Sequence, residues 1–276
     1  MVLRFFLFAS IFLLTYCSVP ERDSPYDPKG INYQERQSSS SSYIKPSSSS
    51  VPSSSSVAPP PSSSSSKPSS SSAGSVPSGG KGNNISAYKT KIIGTQTWMA
   101  ENLNYAVAGS KCGNGSSLSD ANTTTCDTYG RLYNWATAMV LDASCNSSSC
   151  AYQVGSNHRG ICPEGWHIPS NDDWNKLVNY IESSNSCSDC AASYLKATSG
   201  WNEGGNGTVN YGFSALPGGF GSSGSFGGVG DYGYWWSASE SSSDHTYRRR
   251  MNYGDEYVIW DSVDKGRMFS VRCLQD

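Results

Sequence analysis

The pattern of apolar and polar positions divides the chain into stretches with different physics. An apolar run from Phe5 to Leu14 follows the single basic residue Arg4. It is far shorter than the roughly 20 residues that a membrane-spanning helix needs, and a short apolar core behind a positive charge predicts a signal peptide over residues 1–17. From Ser38 to Gly80 hydrophobic periodicity is lost: Ser and Pro dominate, and the unit PSSSS begins at Pro46, Pro52, Pro61 and Pro68. Such a segment buries too little apolar surface to offset the entropy of ordering it, so residues 38–80 read as a linker, and the polar stretch 18–37 before it as disordered. Periodicity returns in residues 81–276, which are long enough to build a core of their own.

Within this last stretch the patterns predict separate elements. KTKIIGTQTWMAENL is strand-like, with Ile92, Ile93, Trp98, Met99 and Leu103 as apolar anchors. Leu132, Trp135, Ala136 and Met139 recur at helical spacing and predict a short helix over 129–140. Trp174, Leu177, Val178 and Ile181 make an i, i+3, i+4, i+7 stripe behind Pro169, Ser170, Asp172 and Asp173. A capping serine and first-turn carboxylates suit a helix N-terminus, so the second helix is placed over 171–183. CPEGWHIPS, residues 162–170, is then a corner that launches this helix, with Trp166 and Ile168 alternating inward. Residues 141–161 and the Gly-rich 218–230 read as loops. The C-terminal part reads as a meander with strands at 247–253, 257–263 and 268–274, turning at Gly254-Asp255 and Asp264-Lys265-Gly266.

Composition changes the picture in two ways. The net charge is −2 and 15% of residues are charged, so nothing favours nucleic acid or an anionic membrane surface as partner. With 17 Tyr, 8 Trp and 28 Gly, the chain fits a loop-rich, β-containing domain outside the cell better than a helical bundle.

Cysteine usage agrees with export. Leu14-Thr15-Tyr16-Cys17 resembles the lipobox of bacterial lipoproteins, in which the Cys becomes the lipidated first residue; Tyr16 departs from the small residue that motif places there. Eight further cysteines remain, Cys112, Cys126, Cys145, Cys150, Cys162, Cys187, Cys190 and Cys273, and an even count in an exported chain implies disulfides. Connectivity stays open at this level. Spacing suggests Cys145–Cys150 and Cys187–Cys190 as local pairs and Cys112–Cys126 as the closure of a polar loop, which leaves Cys162 to reach Cys273.

Catalytic chemistry finds little support. The three histidines, His158, His167 and His245, include no metal-binding spacing, and His167 reads as a structural residue. Cys187-Ser188-Asp189-Cys190 has redox or zinc spacing, but in an exported chain a structural disulfide is the better reading. Gly219, Gly221 and Gly224 match GxGxxG by chance, since the glycines continue to Gly230 and no helix follows. Glu240, Asp244, Asp255 and Glu256 are carboxylates in or near turns, without an indicated pairing across a cleft. Arg248, Arg249 and Arg250 lie on one strand, where alternate side chains face opposite ways and form no single patch. No catalytic residue, metal ligand or cofactor is assigned. The strongest binding candidates are Tyr232, Tyr234, Trp235 and Trp236: glycines bracket them, and rings that face solvent can stack on sugars or anchor an interface.

Five motifs in order, GTQTWMAENLNY, YGRLYNWATAM, CPEGWHIPSNDDW, YWWSASE and SVRCLQD, resemble the Fibrobacter succinogenes major paralogous domain, a family of exported bacterial proteins. The resemblance covers about residues 85–276, and the Ser/Pro linker behind a lipobox also looks like the family's usual architecture. More distantly the layout resembles a C-type lectin-like fold, in which a disulfide ties the first helical region to the last strand, as Cys162 and Cys273 would. The EPN or QPD motif of calcium-dependent sugar binders is missing, and Trp201-Asn202-Glu203 only partly matches their Trp-Asn-Asp tripeptide, so calcium-dependent binding is not implied.

The expectation is an α+β, C-type lectin-like domain with two short helices, a twisted antiparallel sheet, long loops and disulfides. It would be the head of an outward-facing outer-membrane lipoprotein, not an enzyme. Its partners would be a plant-fibre polysaccharide or another envelope protein, with the membrane met only through the lipid anchor.

Overall fold

The computed structural model describes residues 79–208 and 211–276. The expected signal segment, Cys17, the stretch 18–37 and the expected linker through residue 78 lie outside the described residues.

The chain forms an α+β domain with eleven strands in two sheets and four short α-helices among the described residues. The opening strand-like run is a hairpin, β1 (Thr90–Ile93) and β2 (Gln96–Met99). It turns at Gly94, whose φ of 60° and whose approach to Tyr180 leave no room for a side chain. Ile93, Trp98, Met99 and Leu103 are buried as expected, whereas Ile92 is 76% exposed because it points away from the core on an edge strand.

Strands β3 (Cys112–Asn114) and β4 (Ser117–Ser119) follow, then helix α1 (Thr124–Tyr129) and helix α2 (Trp135–Met139). One helix over 129–140 is therefore incorrect. Gly130, at φ 79°, ends α1, and Arg131 to Tyr133 run extended, with bridges from Leu132 to Lys111 and from Tyr133 to Phe269. The apolar spacing that suggested one helix combines residues of two environments. Leu132 packs with Phe226 and Met268, while Trp135, Ala136 and Met139 join the main core.

β5 (Trp166–His167) leads into α3 (Asn171–Ser184), where the expected helix forms. Ser170 Oγ accepts from the Asp173 amide at 3.2 Å, and the Asp173 carboxylate accepts from the Ser170 amide at 3.0 Å, a reciprocal cap. Trp174, Leu177 and Ile181 are buried, and Val178 is half-buried at the edge of the stripe. The inward alternation of β5 is only partly right, since His167 is buried along with Trp166 and Ile168. A fourth helix, α4 (Ala191–Leu195), went unanticipated.

The Gly-rich stretch is a hairpin rather than a loop. β6 (Gly218–Ser222) and β7 (Ser225–Val229) turn at Ser223-Gly224, both at positive φ, as a two-residue hairpin favours. Then β8 (Tyr232–Glu240), β9 (His245–Asn252) and β10 (Ile259–Asp264) form an antiparallel meander. The third meander strand does not close on β10. Residues 268–274 are all buried, so they lack the solvent-facing side that an edge strand keeps. Instead Met268 bridges Gly221 of β6, Phe269 bridges Tyr133 and Ser270 bridges Trp235 of β8, and the run ends as β11 (Leu274–Gln275) in the other sheet. The strand orders are β1-β2-β11-β5 and β10-β9-β8-β6-β7-β4-β3, with β6 and β8 parallel.

Two apolar cores result. Tyr234, Trp236 and Phe269 belong to one, with Trp135, Met139, Ile168 and Val271. Trp235 and Met251 belong to the other, with Trp98, Trp174, Leu195 and Phe213. The β8–β9 ribbon is the wall between them. Cys162–Cys273, Cys112–Cys126, Cys145–Cys150 and Cys187–Cys190 are disulfide-bonded, as spacing suggested.

A candidate binding face on the terminal meander

Side chains alternate along β8, so Tyr232, Tyr234 and Trp236 share one face and Gly233 and Trp235 the other. Register adds their companions. Tyr234 lies opposite Arg250 and Trp236 opposite Arg248, while Ile259 and Asp261 on β10 face Arg250 and Arg248. Arg249 points the opposite way, towards α3, where it donates to Asn171 Oδ1 at 2.9 Å and Asn175 Oδ1 at 2.8 Å. The three arginines therefore form no common patch.

Three of the four aromatic candidates are core residues. Trp235 is fully buried and donates to Asn102 Oδ1 at 2.8 Å; Trp236 is 1% exposed and donates to the Tyr133 carbonyl at 2.6 Å. Tyr234 is 6% exposed, under Phe269 at 4.9 Å between ring centroids. As binding residues, Tyr234, Trp235 and Trp236 are corrected for a physical reason: β8 is covered on both sides, by residues 268–273 and by the α3 core. Burial pushes the Tyr234 hydroxyl above its ordinary pKa, although Arg248 and Arg250 oppose the shift.

Tyr232 differs. It begins β8, beyond the reach of Phe269, and is half-buried. Its ring stacks on Tyr234 at 5.7 Å with an interplanar angle of 23°. Phe220, also half-buried, meets Tyr234 edge-on at 5.4 Å. The hairpin closes on both rings at Gly228, where a Cβ would stand 3.2 Å from Tyr232 and 3.4 Å from Phe220. Beside the rings, Arg248 lies 4.6 Å above Tyr234 and holds Asp261 through two bonds of 2.6 and 3.0 Å. Arg250 and Ile259, half-buried, complete this face. Sequence reasoning missed Phe220 and Ile259 because they join Tyr232 only through strand pairing.

The other candidates have structural partners. His167 donates or accepts through Nδ1 at 2.7 Å from Asp276 and stands 3.6 Å from Asp173. Glu240 pairs at 3.2 Å with Lys265, whose side chain is wholly buried and lies 4.6 Å from the Trp135 ring. Burial would raise the Glu240 pKa, but hydrogen bonds from Ser149, Cys150 and Lys265 bring it below its ordinary value. Asp244 pairs with His245 at 3.0 Å. Asp255 carries a turn with Asn252, and its carbonyl accepts from the buried Lys196 ammonium at 2.6 Å. The Glu256 carbonyl receives the Ala192 amide at 2.8 Å. Among the described residues, no three His, Cys, Asp or Glu side chains converge where they could hold a metal ion.

The model of one family, the Fibrobacter succinogenes major domain, matches residues 92–275. This chain belongs to that family. The match begins within β1 and ends in β11, so the Fibrobacter succinogenes major domain takes in both sheets, all four disulfides and the whole meander. No curated protein and no solved structure matches the chain.

Proposed function

We propose that the chain is an outward-facing lipoprotein of the outer membrane, anchored at Cys17, whose head binds a plant-fibre polysaccharide without catalysing a reaction on it. The leader, the lipobox-like end and the Ser/Pro linker support export, anchoring and reach. The observation that carries the binding role is the open face at the start of β8, where Tyr232 and Phe220 expose ring surface on a rigid sheet. Sugar rings present C–H faces that pack on such rings, and a pre-ordered platform loses little entropy on binding. The finer fold reading is C-type lectin-like: Cys162–Cys273 ties the approach to α3 to the end of the chain, and a β-meander precedes that end. Calcium has no part in this proposal.

The test is a pull-down of the oxidised exported chain on cellulose, xylan and pectin, with Tyr232→Ala beside it. Binding to one of them, weakened about tenfold or more by the substitution, is the expected result for a ring at the centre of an interface. Tyr234→Ala and Trp236→Ala are unsuitable probes because both would open the core. Failure to bind any glycan would refute the proposal, and crosslinking on intact cells would then test a protein-interaction role.

A further inference from the structure

Arginines in this fold are usually given acceptors. Arg272, 1% exposed, donates to Asn102 Oδ1 at 2.7 Å and to the Phe213 carbonyl. Arg131, fully buried, leaves Nη1 unpaired but donates to Ser110 Oγ at 2.9 Å and the Asp120 carbonyl at 2.7 Å. Arg249 has its two asparagines, and Arg248 has the Asp261 carboxylate. Arg250 is treated differently. Its Nε is buried without a hydrogen-bond partner, its guanidinium is hydrogen-bonded to the neutral Tyr234 hydroxyl, and it makes no ion pair with a carboxylate among the described residues. Its cross-strand neighbours are Tyr234 on one side and Ile259 on the other. The carboxylate on that face, Asp261, is bound in both oxygens by Arg248. Asp231, at the start of β8, accepts from Asn202 at 2.9 Å. One positive charge is therefore left over on the open face, partly withdrawn from water and beside the aromatic rings.

We infer that this face receives a carboxylate-bearing glycan, with Arg250 holding the carboxylate of a uronic acid residue and Tyr232 and Phe220 the sugar ring. The inference rests on the proposed binding face. A guanidinium presents a planar fork that matches the two oxygens of a carboxylate. Partial burial weakens its competition from water, so an incoming carboxylate gains more there than at a free surface arginine. An apolar ring platform at one side supplies the part of the affinity that salt does not screen.

The experiment measures binding of the oxidised exported chain to polygalacturonate, to its methyl ester, to xylan and to dextran sulfate, at low and moderate salt. Arg250→Gln, Arg250→Lys and Tyr232→Ala run beside the parent. The expected result is at least tenfold preference for polygalacturonate over its ester, reduced by salt. Arg250→Gln should abolish the preference, and a melting temperature close to the parent's shows that the head is still folded. Arg250→Lys should keep the salt dependence and recover only part of the preference, because the fork is lost. Equal binding of acid and ester, unchanged by Arg250→Gln but lost in Tyr232→Ala, would overturn this inference and leave the proposed glycan-binding role standing. Equal or tighter binding of dextran sulfate, indifferent to Tyr232→Ala, would overturn it as mere charge attraction. Failure to bind any of these glycans would overturn both.

Discussion

His167 lies buried between carboxylates from opposite ends of the domain, Asp173 on α3 and Asp276 beside β11. Burial favours the neutral imidazole, but the two carboxylates outweigh it and raise the pKa. Asp173, which also holds Ser170 and stands 3.4 Å from Lys176, is pushed well below the ordinary carboxylate range despite its own burial. The two residues therefore support the fold in a defined window. The Asp173 contribution is complete above about pH 4 and lost only in strong acid; that of His167 is complete below about pH 6.5 and lost as pH rises through its raised value. The melting temperature should be level between those limits and fall on the alkaline side by about 2–4 °C, the size of roughly 1 kcal/mol in a domain of this length with one partner half exposed. His167→Asn should remove the alkaline fall, and calorimetry across pH 5 to 9 (about one scan per half unit) reads it directly. A histidine variant whose alkaline limb matched the parent would refute the clasp. Its structural role was legible from the lack of a metal-binding spacing; its partner Asp276 was not, because the contact spans 109 residues.

Elements differ in how plainly the sequence announces them. Helix α3 carries its own start signal, its dipole-matched carboxylates and a full apolar stripe, so pattern and structure agree to within one residue of its end. α1 and α4 have six and five residues and no stripe of their own. Their order comes from neighbours, including the disulfides at Cys126 and Cys190. The Gly-rich hairpin was hidden for a related reason: its strands are held by ladder pairing to distant chain, not by local propensity. α3 should accordingly be sensitive at its cap. Ser170→Ala should cost about 1–2 kcal/mol, since it removes the hydroxyl half of the box, the acceptor for the Asp173 amide and the O–H donor to its carboxylate, and so loosens Asp173 beside His167. Urea denaturation should show a lower midpoint at unchanged slope, and Ser170→Thr should recover most of it. A midpoint equal to the parent's would mean that the cap adds nothing to the stability already provided by packing.

At the scale of the whole molecule, the sequence disclosed that residues 81–276 fold with disulfides, but not that β8 separates two cores. Alternation along YGYWW says that Tyr234 and Trp235 face opposite ways; it cannot say that both ways are inward. That depended on residues 268–270 pairing with β6 and β8, which sets the Phe269 ring on Tyr234 and Trp236, instead of extending the sheet beyond β10, and hence on where Cys273 is tied. The Cys162–Cys273 bond joins residues 111 apart and both its cysteines are fully buried, so it fixes this last run of chain against the core. Closing a loop of that size restricts the unfolded chain by about 4–5 kcal/mol, whereas the short loops of Cys145–Cys150 and Cys187–Cys190 restrict it less. Exposure sets the order of attack. Cys187 and Cys190 are half-buried, while the other six cysteines are buried. Mild reductant under native conditions should therefore release Cys187 and Cys190 first, seen as alkylation of those two residues by mass spectrometry, with little loss of melting temperature. Full reduction should require transient opening of the domain and then lower the melting temperature by about 8–16 °C. Early alkylation of Cys273 in a still-folded head would contradict the burial of residues 268–274. Tyr234 and Trp236 would then lose the cover that makes them core while Tyr232 stays half-buried at the rim.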